Sequence, residues 1–147
     1  MAIILNIETA TKNCSVSIAE NGEVLVLKEL NDLNYSHAEK LHPFINEALK
    51  EAHIEIHQLD AVAVSKGPGS YTGLRIGVSA AKGICFAIDR PLISIETLRS
   101  LSTSISISEG VIVPMLDARR MEVYAAIFSA DYQLLRSIQA NIIDTTS

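Results

Sequence analysis

The chain has 147 residues, which fits one domain of ordinary size or one compact domain with the start of a second. It is 48% hydrophobic and 20% charged, which excludes a disordered chain, and no apolar run approaches the roughly 20 residues that span a bilayer. Since 17 acidic and 12 basic side chains give a formal charge of −5, tight binding to nucleic acid without a partner protein is not expected.

The first residues, "MAIILNIETA", alternate as a strand does and lack the basic start and cleavage site of a secretory signal. The two cysteines, Cys14 and Cys85, form no spaced framework, which indicates reduced thiols packed as small hydrophobes and no zinc cluster. We therefore expect a cytoplasmic protein without a membrane anchor.

The chain begins with three β-branched runs, "AIILNIE", "CSVSIAE" and "EVLVLKEL", the last two joined by Asn21-Gly22, a strong hairpin signal. These runs predict an antiparallel meander. Apolar residues at steps of three and four then predict an amphipathic helix that begins near Ser36, its N-cap, with Glu39 three positions on. Pro43 either bends this helix or marks a later start.

The next elements form a strand–helix–strand unit. "LDAVAVSKG" predicts a strand buried on both faces, a helix follows from about Ser70 to Ile88, and "RPLISIE" predicts another strand. A short helix over Thr97 to Ser102 leads into "STSISISEG", the most linker-like stretch in the chain. We place a boundary there, with a first domain over 1–104 and an incomplete second domain over 105–147.

The last part, "VIVPMLDARR", "MEVYAAIFSA" and "YQLLRSIQANII", predicts a second run of strands that repeats the opening plan. No helix follows to cover one face of this sheet. We expect either that a C-terminal part is missing or that a partner covers the sheet.

The segment "KGPGSYTGLRIGVSAAKG" holds five of the seven glycines. A Walker-type phosphate loop needs Lys and then Ser or Thr at the helix start, but Leu74 follows Gly73, and the glycine spacing misses the dinucleotide pattern by one residue. Instead, Gly69, Gly73, Gly77 and Ala81 recur every four residues and form a glycine ridge with almost no side chains. That ridge packs either on its own sheet or on a helix of another subunit.

The motifs "GPGSYTGLRIG" with "AKG", "IETAT…CSVSIAE" and "DARRMEVYAA" together resemble the bacterial TsaB (YeaZ) family over essentially the whole chain. Members of that family are longer, so the chain resembles a C-terminally truncated member. The resemblance implies an α/β fold of the actin-like ATPase (ribonuclease H-like) type, with a mixed sheet, helices and the start of a second similar half.

The resemblance also implies a role in making threonylcarbamoyladenosine, the modified adenosine beside the anticodon of tRNA. It implies a non-catalytic subunit without a cofactor, whose homologue TsaD transfers the threonylcarbamoyl group. Its partners would be TsaD as a heterodimer, the ATPase TsaE, a second copy when alone, and tRNA only through the complex. The implied partner interface comprises Leu41, Ile45, Gly69, Gly73, Leu74, Gly77 and Ala81.

Other residues could carry chemistry. Glu8, Thr9 and Thr11 lie in the turn where actin-like ATPases bind phosphate, although that turn lacks glycines and also fits a plain polar hairpin. His37 and His42 are five residues apart, too far to share one helix face, so we predict no metal site.

A second turn, with Asp117, Arg119 and Arg120, is interpreted as a salt-bridged β-turn or as a surface for TsaD, TsaE or tRNA. Two alternatives to an accessory subunit stay open. One is a stand-alone actin-like ATPase or phosphotransferase, and the other is a glycoprotease-like metallopeptidase. The absent Lys-Ser/Thr pair disfavours the first, and the lack of a nucleophile motif disfavours a protease.

Overall fold

The computed structural model describes residues 1–31 and 37–144. The chain divides into two compact units, the first formed by Met1–Lys66 and Ser70–Ile95, the second by Gly67–Gly69 and Glu96–Ser147. The helix over Thr97–Ser102, which the sequence assigned to the first domain, therefore contributes to the second unit. The units are described separately below.

The first unit contains a five-stranded mixed sheet. Its strands are β1 (Ile3–Glu8), β2 (Asn13–Glu20), β3 (Glu23–Asn31), β4 (Ala61–Gly67) and β5 (Leu92–Glu96), in the order β3-β2-β1-β4-β5. β1, β2 and β3 pair antiparallel, which confirms the predicted meander, and β1 pairs with β4 in parallel. Asn21 and Gly22 adopt positive φ angles of 52° and 88°, as a tight hairpin turn requires.

Two helices belong to this unit, α1 (His37–Glu51) and α2 (Tyr71–Ile88). α1 continues through Pro43 without interruption, and its predicted cap, Ser36, lies outside the described residues. α2 begins where predicted, because the hydroxyl of Ser70 accepts a hydrogen bond from the Gly73 N–H at 3.2 Å.

The helices and the sheet enclose one hydrophobic core. Strand residues 61–65 are all buried, as the continuous apolar run predicted. α1 contributes Leu41, Ile45, Ala48 and Leu49, which lie on the face that its apolar periodicity indicated. The fully buried members of this core include Leu5, Val16, Ile18, Leu41, Ala48, Leu59, Val62 and Ala81.

The second unit comprises α3 (Thr97–Ser102) and four strands, β6 (Val111–Ile112), β7 (Met115–Arg119), β8 (Glu122–Ser129) and β9 (Leu134–Ile142). β8 is central and pairs antiparallel with the other three strands. β6 and β7 lie along the same side of β8, so the unit repeats the opening meander, as predicted. Its core consists of Leu98, Ile112, Ala126 and Phe128.

Much apolar surface of the second unit stays exposed. Val111, Met115, Leu135 and Ile142 each expose more than half of their side-chain surface. In the first unit α1 covers the corresponding meander, whereas no helix follows β9 within the described residues. Among the helices of residues 1–31 and 37–144, none is both long and apolar enough to cross a membrane.

Candidate functional site

The turn between β1 and β2 is pinned to the first turns of α2. Thr9 is 1% exposed, and its hydroxyl donates a hydrogen bond of 2.7 Å to the carbonyl oxygen of Gly73. The Ser70 N–H donates to the Ala10 carbonyl oxygen at 2.6 Å. Two hydrogen bonds, one donated by the turn and one donated by the start of α2, therefore hold these two segments together.

The glycine ridge of α2 exists because of this contact. A Cβ atom built on Gly73 would lie 2.1 Å from the Thr9 carbonyl oxygen, and one built on Gly77 would lie 2.2 Å from Thr9 Oγ1. Real Cβ atoms do not approach other heavy atoms this closely, so any larger residue at either position would force its neighbours to shift. The two glycines pack within their own unit, on the turn that ends β1 and on Ile7 of that strand, which favours the intramolecular alternative that the sequence left open.

This packing bears on most of the residues of the predicted partner interface. Gly73 and Gly77 are buried against Thr9, in the turn that follows β1, and Ala81 is buried in the core. Leu41 and Ile45 of α1 are buried in the same core. A side chain that fills the core of its own unit has no surface left for a second protein. Burial argues against a contact through these five residues, while Gly69 and Leu74 are half-buried, and the partner interface stays a prediction.

The outer face of α2 is the surface that the sequence analysis missed. Tyr71 is 75% exposed and Phe86 is 92% exposed, although both are large apolar side chains. Between them lie Arg75, whose guanidinium carbon is 5.5 Å from the centre of the Tyr71 ring, and Lys82. Large exposed aromatics with Arg are typical of protein interfaces. The sequence signal that could have identified this face is the spacing of these residues, which puts them on the side of the helix opposite the glycine ridge.

Gly83 adds to this outer face. A Cβ atom built there would meet nothing within 4 Å, so the fold itself gives no reason for glycine at this position. Glycine within a helix costs about 1 kcal/mol relative to alanine. The outer face thus contains one position where another backbone could approach α2 closely, beside the exposed ring of Phe86.

The predicted nucleotide ligands are engaged within the protein. Glu8 accepts hydrogen bonds from the Ala10 N–H at 2.6 Å and from the Ser65 hydroxyl. The Thr9 hydroxyl is used by Gly73, as described above. The Thr11 hydroxyl accepts from the Asn13 N–H at 3.3 Å. The structure brings the three residues together, but in a closed polar turn.

The histidines on α1 have separate environments. His37 is 1% exposed, and its Nε2 lies 2.8 Å from the Thr11 carbonyl oxygen. Because a carbonyl only accepts, Nε2 is the donor in this contact. His42, in contrast, is exposed to solvent. The two side chains face different surroundings, as their spacing predicted.

The turn between β7 and β8 differs from the predicted salt-bridged turn. Asp117 Oδ1 accepts a hydrogen bond of 2.7 Å from the backbone N–H of Arg119. Neither Arg119 nor Arg120 forms an ion pair within residues 1–31 and 37–144. Asp117 therefore caps the backbone of the turn and leaves both guanidinium groups at the surface.

The two cysteines are buried, and both are free thiols. Burial raises the pKa of the Cys14 thiol above its ordinary value of 9.0, because the thiolate would lose its hydration. The pKa of the Cys85 thiol is raised for the same reason, although backbone hydrogen bonds partly oppose the effect. Both cysteines thus behave as the small hydrophobes that the sequence predicted.

Comparisons of the sequence and of the structure with known proteins indicate the same family. Residues 32–146 match the family model described as "TsaD: tRNA N6-adenosine threonylcarbamoyltransferase". The tRNA threonylcarbamoyladenosine biosynthesis protein TsaB of Haemophilus influenzae is 36% identical over 124 residues, which are 82% of this chain and 51% of that protein. The chain spans about half the length of the curated TsaB relatives that it matches.

Solved structures agree with this result. YeaZ from Pseudomonas aeruginosa superimposes with a TM-score of 0.86 at 27% identity and is matched over 100% of this chain and 70% of that one. The activator of the 2-hydroxyisocaproyl-CoA dehydratase from Clostridium difficile, solved with bound ADPNP, gives a TM-score of 0.52 at 14% identity. It is matched over 96% of this chain and 45% of that one, and the likeness concerns the fold alone. The predicted actin-like α/β fold is confirmed.

Proposed function

Because the chain belongs to the TsaB (YeaZ) branch of the family to which TsaD also belongs, we propose that it supports the formation of threonylcarbamoyladenosine in tRNA. Its role in this reaction is that of a subunit that binds and positions the TsaD-type transferase. The TsaE-type ATPase and tRNA join through the complex, and the chain alone pairs with a second copy.

One observation carries the non-catalytic part of this proposal. The turn that would have to hold a phosphate is closed by Thr9, whose hydroxyl and carbonyl oxygens both contact α2. The chain has no glycines in that turn to let backbone amides surround a phosphate. A stand-alone ATPase or phosphotransferase needs an open site at this position. The geometry therefore supports neither of these enzymes, and it gives no support to a metallopeptidase.

We place the contact with the transferase on the outer face of α2, which extends from Tyr71 to Phe86 and includes Gly83. Phe86 is almost wholly exposed, so burying its ring in a complex removes a large apolar surface from water. Gly83 lets a second helix approach closely. This surface replaces the buried ridge that the sequence had suggested.

The proposal is tested by co-purification with the transferase from the same organism, followed by an assay of the modified nucleoside in tRNA. We expect nucleoside formation to depend on this chain, and Phe86→Ser to weaken association at least tenfold. Leu27→Ser is the matched control, since Leu27 is also an exposed apolar residue, 53% exposed on β3.

Normal nucleoside formation without the chain would refute the accessory role. ATP turnover by the purified chain that is lost in Glu8→Gln would instead establish the ATPase. If Leu27→Ser weakens association as much as Phe86→Ser, the outer face of α2 is not the contact.

A further inference from the structure

The turn between β7 and β8 has an unusual backbone. Three successive residues, Arg119, Arg120 and Met121, have φ angles of 66°, 55° and 62°, in the left-handed region that disfavours side chains with a Cβ. The Asp117 carboxylate holds this conformation by accepting the Arg119 N–H. Tight hairpin turns require positive φ angles, and this turn presents two arginines at the surface.

The two guanidinium groups stand out in an acidic protein. The chain carries 17 acidic side chains, yet none of those in residues 1–31 and 37–144 pairs with Arg119 or Arg120. Both arginines are exposed. Arg presents its donors in a planar fork that suits a carboxylate, so the pair is available to an acidic group from outside the chain.

A concave surface adjoins the arginines within the same unit. Its volume is about 530 Å³, and its apolar lining consists of Met115, Met121, Val123 and Ile143. Met115 is 52% exposed and Met121 is 70% exposed, so the cavity is open to solvent. Methionine is flexible and polarisable, and it adapts to apolar side chains of different shape.

We propose that this concave surface binds a segment of a partner protein in which one apolar side chain is flanked by carboxylates. The apolar side chain enters the cavity between Met115 and Met121, while the carboxylates bind Arg119 and Arg120. Apolar burial supplies affinity and the two charge pairs fix the orientation of the segment. The surface lies wholly in the second unit and is independent of the contact on α2.

The lining favours a protein segment over nucleic acid. A phosphate backbone would gain nothing from the four apolar side chains that line the cavity. Two arginines in a chain of net charge −5 also give too little counterion release for binding to RNA. An acidic peptide with an apolar anchor satisfies both parts of the surface.

The test is a selection of random dodecapeptides displayed on phage against the whole protein, with counter-selection on the Arg119→Gln/Arg120→Gln variant. We expect the enriched peptides to carry at least two Asp or Glu within three residues of a large apolar side chain. Synthetic copies should bind at least tenfold more weakly to the double variant and to Met121→Ser, as measured by fluorescence anisotropy.

The control is Arg90→Gln/Arg99→Gln, which removes the same charge from two other exposed arginines and should leave peptide binding unchanged. Circular dichroism confirms that each variant is folded. The proposal is overturned if counter-selection leaves no enriched peptides, if they are basic, or if the control weakens binding equally. It is also overturned if a 12-nucleotide RNA binds more tightly than the peptides.

Discussion

At the scale of single residues, two glycines of α2 should respond oppositely to the same substitution. Gly77→Ala places a methyl group 2.2 Å from Thr9 Oγ1, so the neighbours must shift at a cost of about 1–3 kcal/mol. Gly83→Ala meets nothing and should stabilise the chain by up to about 1 kcal/mol, because alanine favours a helix. Urea unfolding of the two variants measures both changes.

The cause of the Gly77 effect can be isolated with a double substitution. Thr9→Ala removes the hydroxyl that the new methyl group would meet, so Thr9→Ala combined with Gly77→Ala should cost less than the sum of the two single changes. Strictly additive costs would show that the methyl group clashes with something other than Thr9.

The buried thiol of Cys14 makes stability depend on pH. Its pKa in the folded protein lies above 9.0, so the unfolded chain loses this proton first as the pH rises. The contribution of Cys14 to stability is therefore complete below about pH 9 and is lost as the pH passes the folded pKa. Cys14→Ala should flatten the alkaline fall in the free energy of unfolding. An unchanged alkaline limb would assign that fall to other groups.

At the scale of elements, α3 should support the sheet of the second unit through one side chain. Leu98 is fully buried with Ile112 and Phe128, so Leu98→Ala should destabilise that unit by about 2–5 kcal/mol. Leu101 lies in the same helix but is 39% exposed, and Leu101→Ala should cost much less. Hydrogen exchange of the β8 amides reports the difference. Equal exchange in both variants would mean that α3 does not hold the sheet.

The elements themselves were largely predictable from the sequence. The period of apolar residues located α1, the Ser70 cap located the start of α2, and Asn21-Gly22 located the first hairpin. The partner of the glycine ridge was not predictable, because a small-residue period shows that a backbone approaches closely but not which one. That backbone belongs to Thr9, which is 64 residues away from Gly73 in the sequence.

The candidate site was predicted less well than the fold for a similar reason. Leu41 and Ile45 fit an interface pattern and a core pattern equally, since both patterns demand apolar residues at helical spacing. The left-handed run over Arg119 to Met121 has no sequence signal, because none of its residues is glycine. The exposed ring of Phe86 becomes significant only once the buried side of α2 is known.

At the scale of the whole molecule, charge and exposed apolar surface together set the solution behaviour. The sequence pI is about 5.3, so the protective net charge disappears as the pH falls toward that value. Val111, Leu135 and Ile142 then favour association. Light scattering should rise steeply between pH 6 and 5, and Leu135→Ser/Ile142→Ser should reduce the rise. Equal scattering by the variant would assign association to another surface.

The hydrogen bond between Thr9 and Gly73 of α2 also has a thermodynamic consequence. A ligand that needs the β1–β2 turn can bind only to molecules in which the Thr9 to Gly73 hydrogen bond has opened. If about one molecule in a hundred is open, the apparent affinity falls about a hundredfold. A protein that binds the outer face of α2 only while this hydrogen bond is formed lowers the open fraction further. A ligand of the β1–β2 turn and a protein bound to α2 would then weaken each other's binding by linkage alone, without sharing a single contact.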